Sequence, residues 1–379
     1  MSATATITTT TPADVLRVEP LANAPFGARI LMPSYTRDPA YLTDADFERL
    51  YNAVHEHLVV VLPELADLAP QSQYSLTKRF DPTCEGAYGH SKEFRHEKSV
   101  LRRDGHSVPE QPQVQILGQG RCDGHVGIES LELRHPTHMS FHNEPLSDED
   151  MANGYTRFYR WHIDSALYGL APPVVTTLLG IDCPTTDRQK IRYEDSGEEI
   201  ETALAATAFA SGAIAFDNLS EEDKKFALGT TVVYAPHPYI FISPAKATSD
   251  GLTMVSDGKE LPLDELPEWE ESKVKRLPLV WTNPVTDKHH LQVHGCCIYA
   301  LETPSGKQEL AEARQTIHRL MRPNISPEKI YCHDWDAGDL VIFFNRGVWH
   351  SVTGQFDAEG HRLMHQCNIA SGVDPVCKN

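Results

Sequence analysis

Most of the chain beyond residue 110 consists of short runs of β-prone residues separated by turn-forming residues. The clearest runs are QVQILG, RFYRWHID, VVTTLLGI, TTVVYA, LVIFF and RLMHQCNIA. Valine, isoleucine, threonine and aromatic residues bounded by glycine, proline, asparagine and aspartate are typical of β-strands. Because no fixed-period repeat joins the runs, solenoids and propellers are excluded. The sequence therefore predicts a mainly β fold with flanking helices, arranged as an antiparallel barrel or jelly roll.

Three segments around these runs have the spacing of amphipathic helices. Residues 43–58 place Phe47, Leu50 and Val54 at helical intervals behind an acidic first turn. The segments LSEEDKKFALG and SGKQELAEARQTIHRLMR are predicted to be helical as well.

A chain of 379 residues that is 40% hydrophobic can bury a large core. We expect residues 1–14, which are rich in serine, threonine and alanine, to be a mobile N-terminal segment. Residues 15–379 are predicted to form a single domain. The acidic, proline-interrupted stretch SDGKELPLDELPEWEESKVKR predicts a surface insertion around residues 245–275.

The charge of the chain argues against two classes of partner. A formal net charge of -19 repels phosphate backbones and anionic membranes, so we expect neither nucleic acid nor a membrane as a partner. No apolar run approaches the roughly 18 residues that span a bilayer, and MSATATITTTTPADV lacks the core of a signal peptide. Eight cysteines without a Cys-x-x-Cys spacing predict reduced thiols and a cytoplasmic location. The sequence leaves homo-oligomerisation open.

The run YRWHIDSALYG contains His162 and Asp164, which face the same side if the segment is extended. A chain with 19 histidines contains one His-x-Asp about once by chance, and alone the pair is more simply a buried polar pair. The run AGDLVIFFNRGVWHSVTG adds His350 after a buried strand. Two imidazoles and one carboxylate form the facial triad that binds iron(II) and leaves three coordination positions open.

The run HRLMHQCNIA alternates so that Arg362, Met364, Gln366 and Asn368 share one strand face. Arg362 alone could be a surface cation. Beside a metal pocket it predicts a carboxylate ligand, because a guanidinium binds a carboxylate through two parallel hydrogen bonds. A cosubstrate with a distal carboxylate is implied.

Further polar residues are candidates for substrate contacts. Gln113 and Gln115 share a strand face, for which an exposed edge strand is the alternative. Glu149 and Asp150 lie in PLSDEDMANG, where a solvated helix start remains the alternative to a substrate-facing loop. For Arg134 in LELRHPTH the same two interpretations, a solvent-exposed position and a substrate-facing one, stay open.

The motifs WHIDSALY, TAFASG, LPLVWTNPVTDKHHLQV, GDLVIFFNRGVWHS and RLMHQ occur in the order and context of one family. Over most of its length the chain resembles the taurine dioxygenase family of iron(II)- and 2-oxoglutarate-dependent oxygenases. The resemblance implies a double-stranded β-helix, or jelly-roll, barrel, with residues 15–379 as the catalytic domain. The stretch between Asp164 and His350 is longer than the family pattern, which leaves the geometry of any lid open.

The resemblance also implies roles for individual residues. His162, Asp164 and His350 would bind iron(II), and Arg362 would bind the distal carboxylate of 2-oxoglutarate. Thr207 of TAFASG would donate its hydroxyl to the same cosubstrate, and O2 would be the second cosubstrate.

Within the family, QVQILGQG, FYRWHIDSALY and HQCNIA most resemble fungal members that act on xanthine. The resemblance implies hydroxylation of xanthine at C8 to uric acid, with release of succinate and CO2, in purine catabolism. A purine dione presents N–H donors and carbonyl acceptors that amide side chains can complement. The candidate substrate-binding residues are therefore Gln113, Gln115, Arg134, Glu149, Asp150, Gln366 and Asn368.

Three alternatives stay open. The same chemistry could act on a sulfonate, an aryloxy acid or another small acid, which an additional cation near the iron, beyond Arg362, would favour. A zinc hydrolase could use the same three ligands, but Arg362 would then lack a purpose. A non-catalytic jelly-roll binding protein would be indicated by a missing ligand, and all three are present.

Overall fold

The computed structural model describes residues 14–84, 86–89, 96–101, 106–184, 187–255, 258–356 and 360–378. The predicted mobile segment at residues 1–14 therefore lies, apart from its last residue, outside the described residues. The strands in the described part are β1 (Arg17–Pro20), β2 (Ala28–Leu31), β3 (Val59–Leu62), β4 (His106–Val108), β5 (Gln111–Asp123), β6 (Ser130–Leu133), β7 (Tyr155–Thr156), β8 (Val175–Asp182), β9 (Arg188–Arg192), β10 (Glu199–Ala203), β11 (Thr207–Ser211), β12 (Thr231–Tyr234), β13 (Arg276–Pro278), β14 (Val280–Thr282), β15 (His289–Leu291), β16 (Ile298–Thr303), β17 (Gly306–Gln308), β18 (Ile330–His333), β19 (Leu340–Phe344), β20 (Val348–Val352) and β21 (Arg362–Asn368). The α-helices are α1 (Asp44–His57), α2 (Pro70–Arg79), α3 (His138–Phe141), α4 (Asp148–Ala152), α5 (Gly212–Asp217), α6 (Glu221–Leu228), α7 (Pro238–Phe241) and α8 (Leu310–Met321). The prediction of a mainly β fold with flanking helices is confirmed.

The largest sheet has nine strands in the order β1-β2-β3-β19-β8-β21-β5-β4, with β6 paired to β5. All its neighbours are antiparallel except β2 and β3. The central strand β19 is buried along its whole length. Its residues belong to one apolar cluster with Leu50 and Val54 of α1 and with Phe209 of β11, so other elements cover the strand on both faces. A strand covered on both faces reads as a continuous apolar run, which explains the sequence LVIFF.

A second, three-stranded sheet has the order β18-β11-β20. Its strand β11 places Phe209 opposite His350 of β20, and the Phe209 ring lies 5.2 Å from the Phe343 ring of β19. The two sheets therefore contact each other through aromatic side chains at the position of one predicted metal ligand.

The helix predicted at residues 43–58 is confirmed as α1. The side chain of Thr43 caps it by accepting a hydrogen bond from the backbone N–H of Asp46, and Leu50 and Val54 are buried. The other two predicted helices correspond to α6 and α8. No helix in the described ranges combines the length and the apolar character that a bilayer crossing requires.

The segment around residues 245–275 contacts the extended segment that carries His162 and Asp164. The carbonyl of Gly251 accepts a hydrogen bond from the backbone N–H of Trp161 at 3.0 Å. Asp250, in the same turn, accepts from the His318 ring of α8 at 2.7 Å. Residues 268–273 are mostly exposed. The interpretation of this segment as an insertion stays a prediction.

Candidate metal centre and cavity

His162, Asp164 and His350 converge at the point where an extended segment after β7 meets β20. His162 and His350 form an antiparallel bridge in which each backbone N–H donates to the other residue's carbonyl at 2.9 Å. The Nε2 atoms of His162 and His350 lie 3.8 and 3.6 Å from Asp164 Oδ1. Among the described residues these three form the one group whose ligand atoms all lie within 4.8 Å of one another. Since metal–ligand bonds are about 2 Å long, a single ion can bind all three.

The protein prepares both imidazoles as ligands. Nδ1 of His162 lies 2.9 Å from the carbonyl of Arg160, and because a carbonyl only accepts, Nδ1 carries the proton and Nε2 keeps its lone pair. Burial, followed by the nearby Arg160 cation, lowers the pKa of His350 to about 3. Burial likewise holds the pKa of His162 well below its ordinary value. Both rings are therefore in the neutral form that binds metals.

The two carboxylate oxygens of Asp164 have different surroundings: one accepts hydrogen bonds from the protein, and the other faces the metal position. Oδ2 accepts hydrogen bonds from the Thr176 hydroxyl at 2.6 Å and from the Gln366 amide at 3.2 Å. Oδ1 faces the two imidazoles. The side chain of Asn345 fixes the Asp164 backbone by bonding both its N–H and its carbonyl at 2.8 Å. Two nitrogens and one held carboxylate oxygen are a donor set that fits iron(II).

Arg362 is a buried cation that no acid neutralises. Its side chain is 4% exposed, and no carboxylate of the described residues lies within ion-pair distance of it. Nη1 donates to Nδ1 of His135 at 3.4 Å, and Nε has no hydrogen-bond partner among the residues that the structure describes. Burial lowers the pKa of Arg362 to about 10, so the group remains charged near neutral pH. Because an unpaired buried charge is costly, the site is suited to an anionic ligand.

Thr207 lines the same cavity as this cation, and its hydroxyl hydrogen is available to a ligand. The indole N–H of Trp335 donates to Thr207 Oγ1 at 3.0 Å, so the hydroxyl accepts from Trp335 and can donate elsewhere. The Arg362 guanidinium also lies 6.0 Å from the Trp335 ring centre. Trp335 is not among the residues predicted from the sequence, although a tryptophan inside the polar turn HDWDAGDL was a visible signal.

A cavity of about 900 Å³ joins these groups. It is lined by all three metal-ligand candidates and by Thr207, Arg362 and four of the predicted substrate residues, Gln113, Gln115, Arg134 and Gln366. Gln115 of β5 and Gln366 of β21 are direct partners in the strand register. The predicted shared faces of these two strands therefore meet at the cavity.

The amide groups are held by neighbouring polar atoms. Gln115 donates to Ser107 Oγ at 2.7 Å, and Gln113 donates to the carbonyl of Gly86 at 3.0 Å. Gln366 is bound at both ends, since its nitrogen donates to Asp164 and its oxygen accepts from the Tyr88 hydroxyl at 3.4 Å. Gln366 therefore supports a metal ligand as well as lining the cavity, a contact that the sequence did not predict.

Three predicted substrate residues lie outside the cavity lining. Glu149 and Asp150 lie in the first turn of the short helix α4, where Glu149 is exposed and Asp150 forms an ion pair with Arg192 at 3.0 Å. Asn368 is completely buried, and a side chain at Gly89 would meet its Oδ1 at 2.5 Å. The helix cap and the packing at the end of β21 account for these positions. We therefore leave the three residues out of the proposed substrate site.

A second buried guanidinium lines the same cavity. Arg160 is 4% exposed, and alternation along the extended segment places it on the same side as His162 and Asp164. Its guanidinium lies 5.3 Å from the ring centre of Tyr239 and 5.7 Å from that of Phe141. Its Nε and Nη1 atoms have no hydrogen-bond partner in the described part of the chain. Arg160 is not among the residues predicted from the sequence, although the two-residue spacing that places His162 and Asp164 on one face also includes it.

Comparison with known proteins gives relatives along the whole cavity-forming region. Residues 17–368 match the family described as "Taurine catabolism dioxygenase TauD, TfdA family". The chain is 49% identical over 342 residues to an alpha-ketoglutarate-dependent xanthine dioxygenase of Emericella nidulans, covering 89% of this chain and 92% of that protein. It is 45% identical over 344 residues to the corresponding enzyme of Schizosaccharomyces pombe, covering 88% and 83%. A putative alpha-ketoglutarate-dependent taurine dioxygenase from Burkholderia xenovorans shares the fold, with a TM-score of 0.55, 17% identity and coverage of 95% and 91%.

Proposed function

The chain belongs to the taurine catabolism dioxygenase TauD, TfdA family, and on this premise we propose that it is an iron(II)- and 2-oxoglutarate-dependent dioxygenase that hydroxylates xanthine at C8 to uric acid. The main support for this chemistry is that the three metal-ligand candidates line the same cavity as the guanidinium of Arg362, which has no acid partner among the described residues. The choice of xanthine is supported by the relatives from Emericella nidulans and Schizosaccharomyces pombe, which are named for that substrate.

We further propose that residues 15–379 form one catalytic domain built on a double-stranded β-helix. The nine-stranded sheet and the β18-β11-β20 sheet would be its two faces, which is supported by the contact of Phe209 with Phe343. We propose a cytoplasmic location, supported by eight free cysteines, and no nucleic-acid or membrane partner, supported by the net charge of -19. Homo-oligomerisation remains open.

Each group in the cavity has a separate task in this proposal. When bound, iron(II) with 2-oxoglutarate and O2 supplies the oxidising chemistry, and succinate and CO2 are released. His162, Asp164 and His350 hold the metal and leave three positions open. Arg362 and Thr207 bind and orient the distal carboxylate of 2-oxoglutarate. Apolar side chains such as Leu178, Met364 and Val352 line the cavity and limit the access of water.

The amide side chains would recognise the purine. Gln113, Gln115 and Gln366 offer both donors and acceptors around the cavity, and Arg134 adds a charge at its exposed side. A purine that cannot match these groups leaves buried polar atoms unpaired, which discriminates strongly between substrates.

Arg160 favours a second candidate function, the same chemistry on a sulfonate, an aryloxy acid or another small acid. An additional cation beside the metal position is the feature expected of such an enzyme, and Arg160 lines the cavity with unpaired donors. A zinc hydrolase has no comparable support, because its reaction uses no anionic cosubstrate that would bind Arg362.

A panel of substrates separates these candidates. We expect protein supplied with iron(II), ascorbate and 2-oxoglutarate to form succinate and uric acid from xanthine in a ratio near one. Hypoxanthine, which lacks the C2 carbonyl, should be a poor substrate, and taurine and aryloxy acids should not accelerate succinate formation. Brisk succinate formation with taurine and no uric acid from xanthine would transfer the proposal to the second candidate. Absence of succinate with every compound would reject both.

Gln366 provides a prediction about the coupling of metal and substrate. Gln366→Leu removes a hydrogen bond to Asp164 and a donor that lines the cavity. We expect an increase of about tenfold or more in the iron(II) requirement. At saturating iron, xanthine turnover should still fall by about five- to 150-fold, because a lost buried hydrogen bond costs roughly 1–3 kcal/mol. Uric acid and succinate measured separately should show uncoupled succinate formation.

Thr176→Val is the matched control for this variant. Thr176 donates to the same carboxylate oxygen at 2.6 Å but does not line the cavity. It should raise the iron(II) requirement at least as much as Gln366→Leu, while the ratio of uric acid to succinate stays near one. Equal uncoupling in both variants would show that Gln366 acts only through the metal ligand.

A further inference from the structure

Arg160 has charge and hydrogen-bond donors that the described protein leaves unused. Its side chain is 4% exposed, and none of the ion pairs of the described residues involves it. Within the described ranges, its Nε and Nη1 atoms have no hydrogen-bond partner. Two other buried arginines each have an acid partner: Arg314 pairs with Glu260, and Arg157, on the same segment as Arg160, pairs with Glu194. Among the most deeply buried arginines of the described residues, Arg157, Arg160, Arg314 and Arg362, the two without an acid partner are the two that line the cavity, Arg160 and Arg362.

Aromatic rings explain how Arg160 can stay charged while buried. Its guanidinium carbon lies 5.3, 5.6 and 5.7 Å from the ring centres of Tyr239, Tyr159 and Phe141. Rings at these distances attract a cation through their electron-rich faces but accept no hydrogen bonds in the plane of the guanidinium. The three rings therefore stabilise and orient the charge while the N–H groups of Nε and Nη1 remain available to a ligand.

The neighbouring acid cannot serve as that partner. Asp164 is the carboxylate on the same face of the segment, but its Oδ2 already accepts from Thr176 and Gln366, and its Oδ1 faces the metal position. A ligand that satisfies Arg160 must therefore enter through the cavity, next to the metal ligands.

We propose that Arg160 is a second anion-binding residue of the cavity, which contacts a planar, charge-delocalised anion beside the metal position. This inference rests on the proposed function. Xanthine gives up a ring N–H proton near neutral pH and uric acid does so more readily, so the substrate and the product both provide such an anion. The 2-oxo-acid end of 2-oxoglutarate carries another. A planar guanidinium suits either one, because it offers parallel N–H donors.

Equilibrium binding to three proteins tests the proposal: the native chain, Arg160→Gln and Arg160→Lys. Urate and xanthine are titrated calorimetrically into metal-free protein, and 2-oxoglutarate is titrated into protein loaded with manganese(II). We expect Arg160→Gln to weaken one class of ligand by about ten- to hundredfold. Arg160→Lys should recover part of this loss, since it keeps the charge but not the planar pair of donors.

The two ligand arms distinguish the sources of the anion. Weaker binding of xanthine and urate with unchanged 2-oxoglutarate identifies the purine. In that case the native protein should bind xanthine more tightly as the purine deprotonates with rising pH, and Arg160→Gln should lose this dependence. Weaker binding of 2-oxoglutarate alone identifies the cosubstrate. Unchanged affinity for both ligands in Arg160→Gln overturns the proposal.

Arg157→Gln is the control, because Arg157 is buried on the same segment but pairs with Glu194 and does not line the cavity. Its ligand affinities should match the native values, and circular dichroism should show that all variants are folded. If the native chain binds neither xanthine nor urate, the proposed function fails, and the 2-oxoglutarate arm still decides the role of Arg160. If Arg160→Gln does not fold, Arg160→Lys provides the same comparison, and native affinity in that variant for every ligand overturns the proposal.

Discussion

Replacing His162, Asp164 or His350 by alanine should abolish turnover. Each residue supplies one of three ligand atoms that lie within 4.8 Å of one another, and no other such group occurs in the described ranges. Two ligands seldom retain iron(II) against water, so each variant should also lose the weak visible absorption that iron(II) and 2-oxoglutarate give together without oxygen. That absorption requires a chelating 2-oxo acid on two adjacent open positions.

Folding provides the control for these variants. The backbone bridge between His162 and His350 does not depend on their rings, and the apolar clusters that include β19 and β20 remain intact. Circular dichroism and thermal unfolding should therefore change little. His318→Ala removes another imidazole that pairs with a carboxylate, Asp250, outside the cavity, and should keep the absorption. Full activity in any of the three ligand variants would show that the triad is misassigned.

Features set by local spacing could be predicted from the sequence. Two-residue alternation places His162 and Asp164 on one face, and the cap at Thr43 with the apolar spacing after it defines α1. Alternation along β21 places Arg362 and Gln366 at the same cavity. In each case neighbours in the chain determine the direction of the side chain, and no information about distant packing is needed.

Features set by distant contacts could not be predicted. The hydrogen bond of Gln366 to Asp164 joins residues 202 positions apart, and that of Trp335 to Thr207 joins residues 128 positions apart. Alternation gives the face of a strand but not the extent of the cavity along it. Asn368 shares the face of Gln366, yet it lies beyond the cavity lining, against Gly89.

The surroundings of Arg160 also could not be predicted from the sequence. Its direction follows from alternation, but the rings that lie around its guanidinium where an acid could have been, Phe141 and Tyr239, come from separate helices. The sequence can indicate that an arginine faces a pocket. Only the packed structure shows whether its charge is already neutralised.

Arg362→Gln should raise the 2-oxoglutarate requirement far more than the xanthine requirement. The buried guanidinium has no acid partner, so a bound carboxylate would form the charge-assisted pair that the protein itself omits. Loss of such a pair costs on the order of 1.5–3 kcal/mol, or about ten- to hundredfold in affinity. Initial rates measured over a range of each substrate, with the other saturating, separate the two requirements.

Arg346→Gln is the matched control for Arg362→Gln. Arg346 is a mostly buried arginine whose pKa burial also lowers to about 10, but its donors are satisfied by the carbonyls of Pro172 and Val373. It should leave the 2-oxoglutarate requirement unchanged. Arg362→Lys, which keeps the charge without the two parallel donors, should fall between native protein and Arg362→Gln.

The pH dependence of cosubstrate binding gives an independent check on Arg362. Its pKa is lowered to about 10, mainly by burial, so the cation is complete at neutral pH and is lost only as the pH rises through that value. The affinity of the native protein for 2-oxoglutarate should therefore stay flat around neutrality and fall on the alkaline side. Arg362→Gln should be weak throughout and show no alkaline decline, because it has no charge to lose. If Arg362→Gln needed no more 2-oxoglutarate than the native protein, Arg362 would not be the residue that binds the distal carboxylate, since that carboxylate would then have to bind a different cation.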